Sequence, residues 1–244
     1  MRYGIFSDVH GNLEALDVAL TWLLAQKCDA YVFLGDAVGY GANPNEVCDR
    51  IRPIADVAII GNHDAAACGR IDFSEYYDAA KQALQWSAEK LTPENRAWLA
   101  GLPFKVRHGE IEFSHGSPVH PEAFDYLFAP EQVEALGGQL SELAQVTFIG
   151  HSHLTISFYI DDAAIVTPVI ADAIDCTGPQ KTIITVGSVG QPRDRDPRSC
   201  CGIYDTDTKV FTFQRMSYDV LAARKKIIDA GLAPVFGERL LVGM

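Results

Sequence analysis

Apolar and polar positions change period repeatedly along the first 60 residues. Tyr3–Ser7 is a short apolar and aromatic run, and Leu13, Leu16, Leu20, Leu23 and Leu24 then recur at helical spacing through 12–26. Asp29–Leu34 is a second apolar run. The stretch 43–52 predicts a helix opened by Asn43, with Pro44 in its first turn, and Val57–Ile60 predicts a third strand. Strand, helix, strand, helix, strand in that order predicts parallel strands joined by right-handed crossovers.

The pattern then changes. Residues 74–101 read as helix, broken at Thr92–Pro93, where Thr92 can cap the second piece. Phe104–Arg107 and Glu110–Ser114 alternate around His108–Gly109, the pattern of an antiparallel hairpin in which His108 is a turn residue. A helical stretch near 130–143 is followed by strands at Val146–Ile149, Ile156–Ile160, Thr182–Val186, Gly202–Tyr204 and Val210–Gln214, then by a helix over 217–230 ended at Gly231. Parallel units followed by hairpin-like strands predict an α/β fold, a four-layer α-β-β-α sandwich of two mixed sheets packed face to face with helices outside. No repeat, low-complexity run or linker marks a boundary. One domain over 1–244 is therefore expected, with a C-terminal helical segment at about 217–242.

Composition narrows the function. The chain carries 32 acidic against 20 basic residues, a net charge of −12, which argues against a protein that grips duplex nucleic acid through clustered Lys and Arg. It does not argue against a small phosphorylated substrate held by metal. MRYGIFSDVHGN enters a strand with no signal-like segment, and no stretch approaches the ~20 apolar residues of a membrane span, so a cytoplasmic location without membrane contact is expected. The six cysteines show no CxxC spacing and read as reduced, mostly buried thiols; of the adjacent Cys200 and Cys201, at most one is expected to face the core.

The candidate chemistry lies after the strands. Ser7–Asp8–Val9–His10–Gly11–Asn12 follows the first, Gly35–Asp36 the second and Gly61–Asn62–His63–Asp64 the third. The second hairpin strand leads into His115–Gly116, and the strand at 146–149 into Gly150–His151–Ser152–His153. Ligands of open α/β sheets collect at the carboxyl ends of strands, where glycine lets the backbone turn sharply. Taken singly, each motif reads as a helix cap, a turn or a polar strand end. Taken together, five strand ends deliver Asp, His or Asn to one place. Carboxylate, imidazole and one amide oxygen suit Mn²⁺, Fe²⁺ or Zn²⁺, and the absence of cysteine disfavours a structural zinc site. Asp8, His10, Asp36, Asn62, His115, His151 and His153 are too many for one ion and fit two divalent ions sharing a carboxylate, ~3.5–4 Å apart.

This series resembles the calcineurin-like metallophosphoesterase superfamily from residue 5 to 153, and Gly187–Ser188–Val189–Gly190–Gln191–Pro192–Arg193–Asp194 resembles its small single-domain bacterial and archaeal phosphoesterases. The resemblance implies Asp8, His10, Asp36 and His153 on the first ion, with bridging Asp36, Asn62, His115 and His151 on the second. It implies in-line attack on phosphorus by a hydroxide shared between the ions, with Asn62 and His63 stabilising phosphoryl oxygens. His63 would be the non-ligand histidine that protonates the leaving oxygen or steadies the phosphoryl group, and Asp64 would either orient it or serve structure.

Two departures stand out: Ser152 where many relatives have Thr, and Gly39–Tyr40–Gly41 after Asp36 in place of the Asp-Arg pair of Ser/Thr protein phosphatases. The expected activity is hydrolysis of a small phosphodiester or nucleotide, dinucleoside polyphosphates included. A Ser/Thr-type protein phosphatase and a non-catalytic scaffold of the same fold are the alternatives, and a nuclease is disfavoured by charge. Arg193 is a candidate phosphate contact, balanced against a solvated turn, and the turn reading is favoured for Arg198. His120 is expected to be an exposed loop residue and Tyr40 to pack at the rim. Nothing in the sequence indicates or excludes a homodimer.

Overall fold

A computed structural model describes residues 1–244. Twelve strands form two six-stranded sheets. The first contains β1 (Arg2–Phe6), β2 (Ala30–Phe33), β3 (Val57–Ala58), β9 (Ala173–Asp175), β11 (Ser199–Asp205) and β12 (Val210–Met216), in the order β3-β2-β1-β11-β12-β9. The second contains β4 (Lys105–His108), β5 (Ile111–Ser114), β6 (Val146–Ile149), β7 (Ser157–Ile160), β8 (Val166–Val169) and β10 (Lys181–Thr185), in the order β4-β5-β6-β10-β7-β8. β1, β2 and β3 are mutually parallel, as are β5, β6 and β10. The remaining pairs are antiparallel, so both sheets are mixed as the sequence pattern predicts.

Period-two alternation assigns the faces. Tyr3, Ile5, Phe113, Phe148, Ile184 and Phe211 meet between the sheets in one apolar cluster. The opposite face of the first sheet is covered by α1 (Leu13–Ala25), which buries Leu16, Ala19, Leu20 and Leu23 and whose cap Asn12 accepts a bond from Ala15 N–H. The outer face of the second sheet, with Ile149, Phe158 and Ile183, lies under α6 (Pro130–Glu134) and a 3-10 turn at Gly137–Glu142. The layers are thus helix, sheet, sheet, helix.

The other helices are α2 (Pro44–Ile51), α3 (Asn62–Cys68), α4 (Asp78–Lys90), α5 (Pro93–Gly101), α7 (Val220–Asp229) and α8 (Pro234–Val242). Thr92 caps α5 as expected, its side chain accepting from Asn95 N–H. The helical stretch expected over 74–101 begins only at Asp78, and the C-terminal helical segment expected at about 217–242 is two helices, α7 and α8, parted at Gly231. His108 is the last residue of β4, and Gly109, at φ +62°, makes the turn instead. The expectation for the adjacent cysteines is corrected. Both Cys200 and Cys201 are fully buried, because β11 lies inside its sheet with both faces covered: Cys201 packs with the α1 layer and Cys200 against Gly187 on the other side. All six cysteines are free thiols.

Candidate metal centre

The loops leaving β1, β2, β3, β5 and β6 converge. They are tied by main-chain bonds from Asp8 N to Gly35 O, from Val9 N and His10 N to Asp36 O, and from Gly150 N to His115 O. The loop after β10 closes the arrangement: Val189 N bonds Ser7 O, Gly190 N bonds Asp8 O, and the Ser188 hydroxyl donates to Asp8 O. Asp8, His10, Asp36, Asn62, His63, His115, His151 and His153 all gather here, and none is more than 5% exposed.

Their side chains form three overlapping groups, each with ligand atoms within 4.8 Å of one another: Asp8–His10–His153, His10–Asp36–His63 and Asp36–His115–His151. Asp36 Oδ2 lies 3.5 Å from His10 Nε2 and 3.3 Å from His115 Nε2, so this carboxylate spans the two ends of the cluster. Asp8 Oδ1 is 3.3 Å from His153 Nε2. Asn62 turns Oδ1 to His115 Nε2 at 3.2 Å while its Nδ2 donates to the Tyr76 hydroxyl at 2.8 Å.

The carboxylates are anchored by backbone donors. Asp8 accepts from His151 N–H, and Asp36 Oδ1 from His63 N–H at 2.9 Å. Asp64 accepts from the N–H groups of Asp36, Val38 and Gly61, so it braces the two loops rather than the His63 ring. Burial, then the neighbouring charge of Asp36, pushes its carboxyl up to about 7.

Three rings have the Nδ1 proton fixed. His10 Nδ1 faces Val38 O at 3.1 Å, His115 Nδ1 faces Leu34 O at 2.7 Å, and His153 Nδ1 faces Gln191 O at 2.5 Å. A carbonyl oxygen can only accept, so each Nδ1 carries hydrogen and each Nε2 points inward. Burial drives His10 well below the usual imidazole range and also lowers His153, which the charge of Arg193 depresses further. Both rings are therefore neutral, and their Nε2 lone pairs face each other at 3.0 Å. Two lone pairs at that distance repel unless an electropositive atom lies beside them. His151 Nε2 is likewise buried without a partner, its ring held at about 3 by burial and the nearby charge of His115. These residues fit divalent cations of the imidazole- and carboxylate-binding kind.

His115 behaves oppositely. Burial is the largest single influence and disfavours its charge, but the Asp36 and Asp8 carboxylates and the Leu34 carbonyl together outweigh it and raise the ring to about 9. Burial works against the charged carboxylates too, yet His153 holds Asp8 below the usual carboxyl range and His115 holds Asp36 well below it. Without metal, the His115 imidazolium is the cation that this acidic pair surrounds.

The remaining candidates separate. His63 Nδ1 is buried without a partner, and burial lowers the ring to about 4. Arg193 enters the site: its Nη2 donates to Gln191 Oε1 at 3.1 Å and reaches the Tyr40 hydroxyl at 3.4 Å, while its Nε is buried and unpartnered. Arg198 is exposed and paired with Asp196, the solvated turn expected for it, and Arg195 is exposed. Asp194 bonds Arg215 and Thr155. His120 is an exposed loop residue 4.0 Å from Glu122. Tyr40 is buried and packs on His10 and His63 at ring separations of 4.6 Å. Tyr76 and Tyr126, which the sequence reading did not single out, also touch the site. Tyr76 falls in the stretch read as helix, which in fact starts at Asp78, and Tyr126 lies in a loop; neither belongs to a motif, so pattern alone did not point them at the site.

Residues 1–166 match the family model described as calcineurin-like phosphoesterase. An uncharacterized protein of Methanocaldococcus jannaschii is 33% identical over 98% of this chain and 97% of its own length. A metallophosphoesterase from Sphaerobacter thermophilus, known as a crystal structure, is 34% identical with a TM-score of 0.87, covering 100% of this chain and 99% of that one. A hypothetical protein from Pyrococcus horikoshii shares the fold at 22% identity and a TM-score of 0.80, covering 100% and 98%.

Proposed function

The chain belongs to the calcineurin-like phosphoesterase family, and on that premise we propose that it hydrolyses small phosphodiester or nucleotide substrates at a pair of divalent ions. Asp8, His10, Asp36 and His153 would hold one ion, and Asp36, Asn62, His115 and His151 the other. Bound there, the ions supply an activated water at neutral pH and neutralise charge on the phosphoryl group. The observation that carries the reading is the pair of neutral His10 and His153 nitrogens facing each other at 3.0 Å beside the Asp8 carboxylate.

The chain's own groups do the rest. His63 has a buried nitrogen committed to nothing else, so it is free to steady a phosphoryl oxygen by a hydrogen bond; to pass a proton to the leaving oxygen it must first be recharged by the anionic phosphate beside it. Asn62 and the free Nε of Arg193 add donors to the non-reacting oxygens. Gly39–Tyr40 stands where the protein phosphatases carry their Asp-Arg pair, so no arginine grips phosphate there; Arg193, from another loop, is the available guanidinium. The intact ligand set and the retained His63 disfavour the scaffold reading.

A substrate panel with Mn²⁺ added tests this: a phosphodiester, a phosphomonoester, a dinucleoside polyphosphate and a phosphopeptide. Turnover of the diester or the dinucleoside polyphosphate is expected. Turnover confined to the phosphopeptide would replace the reading with a protein phosphatase. No turnover with any metal, in a chain that also binds none, would replace it with a scaffold.

A further inference from the structure

The loop leading to α6 sets two half-exposed aromatic rings beside the metal centre. Tyr126, 43% exposed, lies with its ring nearly parallel to the His151 imidazole, 3.7 Å between centroids and 16° between planes. One face is thus against a candidate ligand and the other is turned outward. Phe128, 45% exposed, stands edge-on to it at 6.0 Å and 68°, making a corner of two rings. The platform is fixed from below. Phe124 and Leu127 are buried, Phe124 packs against His115 and Phe104, and Ser117 N bonds Asp125 O at 2.8 Å. Arg193 is near enough for its charge to act on the Tyr126 phenol, and its Nε is free.

An aromatic corner kept exposed on a rigid loop exposes apolar surface that the fold could have covered. Its neighbours define what fits: a metal pair and a guanidinium for phosphate, and a flat face for a flat ring. We propose that Tyr126, with Phe128 at its edge, is the surface on which the nucleobase of the substrate stacks, making the site selective for phosphoesters of nucleosides over simple alkyl esters. The proposal rests on the phosphoesterase reading above and assigns its specificity to a residue that holds no metal. Stacking of this kind tolerates any base, because every base has a π-face.

The test uses Mn²⁺-loaded protein and two ligands that share a phosphoryl group, adenosine 5′-monophosphate and methyl phosphate. Their affinities are measured by calorimetry in the wild type and in Tyr126→Leu, Tyr126→Trp and Phe128→Leu, with bound metal checked for each. The wild type should bind the nucleotide more tightly than methyl phosphate. Tyr126→Leu should weaken the nucleotide about tenfold and leave methyl phosphate unchanged, with metal content intact. Tyr126→Trp should keep the nucleotide affinity and show indole quenching by the nucleotide alone. Equal weakening of both ligands in Tyr126→Leu would overturn the proposal, because Tyr126 would then only shield His151. Equal wild-type affinities would overturn it while leaving the phosphoesterase reading standing, whereas no binding of either ligand would overturn both.

Discussion

Five of the candidate ligands hold backbone conformations that side chains disfavour: Asp8 (φ +54°), His10 (+49°), Asp36 (+61°), His151 (+65°) and His153 (+61°). Each left-handed non-glycine residue costs on the order of 1–3 kcal/mol. The surrounding bonds over-determine them, as where Val9 N and His10 N both donate to Asp36 O. The effect is to turn successive side chains toward one point just past a strand end. At this scale His63 is separable from its neighbours, since nothing binds its Nδ1. His63→Ala should keep its metal, measured by elemental analysis, and lose about 100-fold or more in turnover; unchanged turnover would remove its assigned role. His115 gives a pH signature. Its folded pKa is raised to about 9 above the usual imidazole value of 6.5, so its charge stabilises the metal-free chain below about 6.5. That contribution is lost as pH rises through about 9. Ligation removes the same proton, so metal uptake near neutral pH should release about one proton per chain and strengthen as pH rises toward 9. Calorimetry in buffers of different ionisation enthalpy reads this directly, and enthalpies independent of buffer would contradict it.

Among the elements, the strand ends need close backbone approach. A Cβ on Gly61 would sit 2.0 Å from Asp36 Oδ1 and 2.4 Å from Asp36 N, because the start of α3 presses on the end of β2. Gly61→Ala should therefore lose metal binding and about 1–3 kcal/mol of stability, whereas Gly138→Ala, with open space around its Cβ, should change neither. Thermal melts and metal analysis of the two variants decide it; metal binding retained in Gly61→Ala would show that the two loops can separate without loss. Much of this level was legible in the sequence. Apolar runs closing on Ser-Asp-Val-His, Gly-Asp, Gly-Asn-His-Asp, His-Gly and Gly-His-Ser-His marked the ends of β1, β2, β3, β5 and β6. The misses have physical causes. β8 and β9 are short edge strands, and β8 carries Pro168, which demotes a strand pattern. α3 has seven residues, too few to show a period. α8 falls inside the helical segment expected to about 242 but does not stand out as its own helix, because Gly237, whose missing side chain lets Arg224 pack close, weakens the local period. Tyr126 belongs to a loop, where position follows from tertiary anchoring by Phe124 and Leu127 and leaves no periodic trace.

For the molecule as a whole, the site is an interface property. The first sheet delivers Asp8, His10, Asp36, Asn62 and His63, and the second delivers His115, His151 and His153. Their separation is therefore set by the apolar packing of Ile5, Leu34, Phe113 and Phe148 between the sheets. His153 lies with Asp8 and His10, whereas His151 lies with Asp36 and His115. His153→Ala and His151→Ala should each lower bound metal by about one ion per chain, from different ends of the cluster. Identical metal spectra for the two variants would contradict that division. On the proposed reading, two ions together make the hydrolytic site. Its most direct measurement is a Mn²⁺ titration of metal-free protein, following bound metal and hydrolysis of bis(p-nitrophenyl) phosphate in the same samples. Negligible turnover is expected through the first equivalent, then a rise with the second and saturation at about two ions per chain. Turnover that ignores metal, or that is already complete with one ion bound, would contradict it.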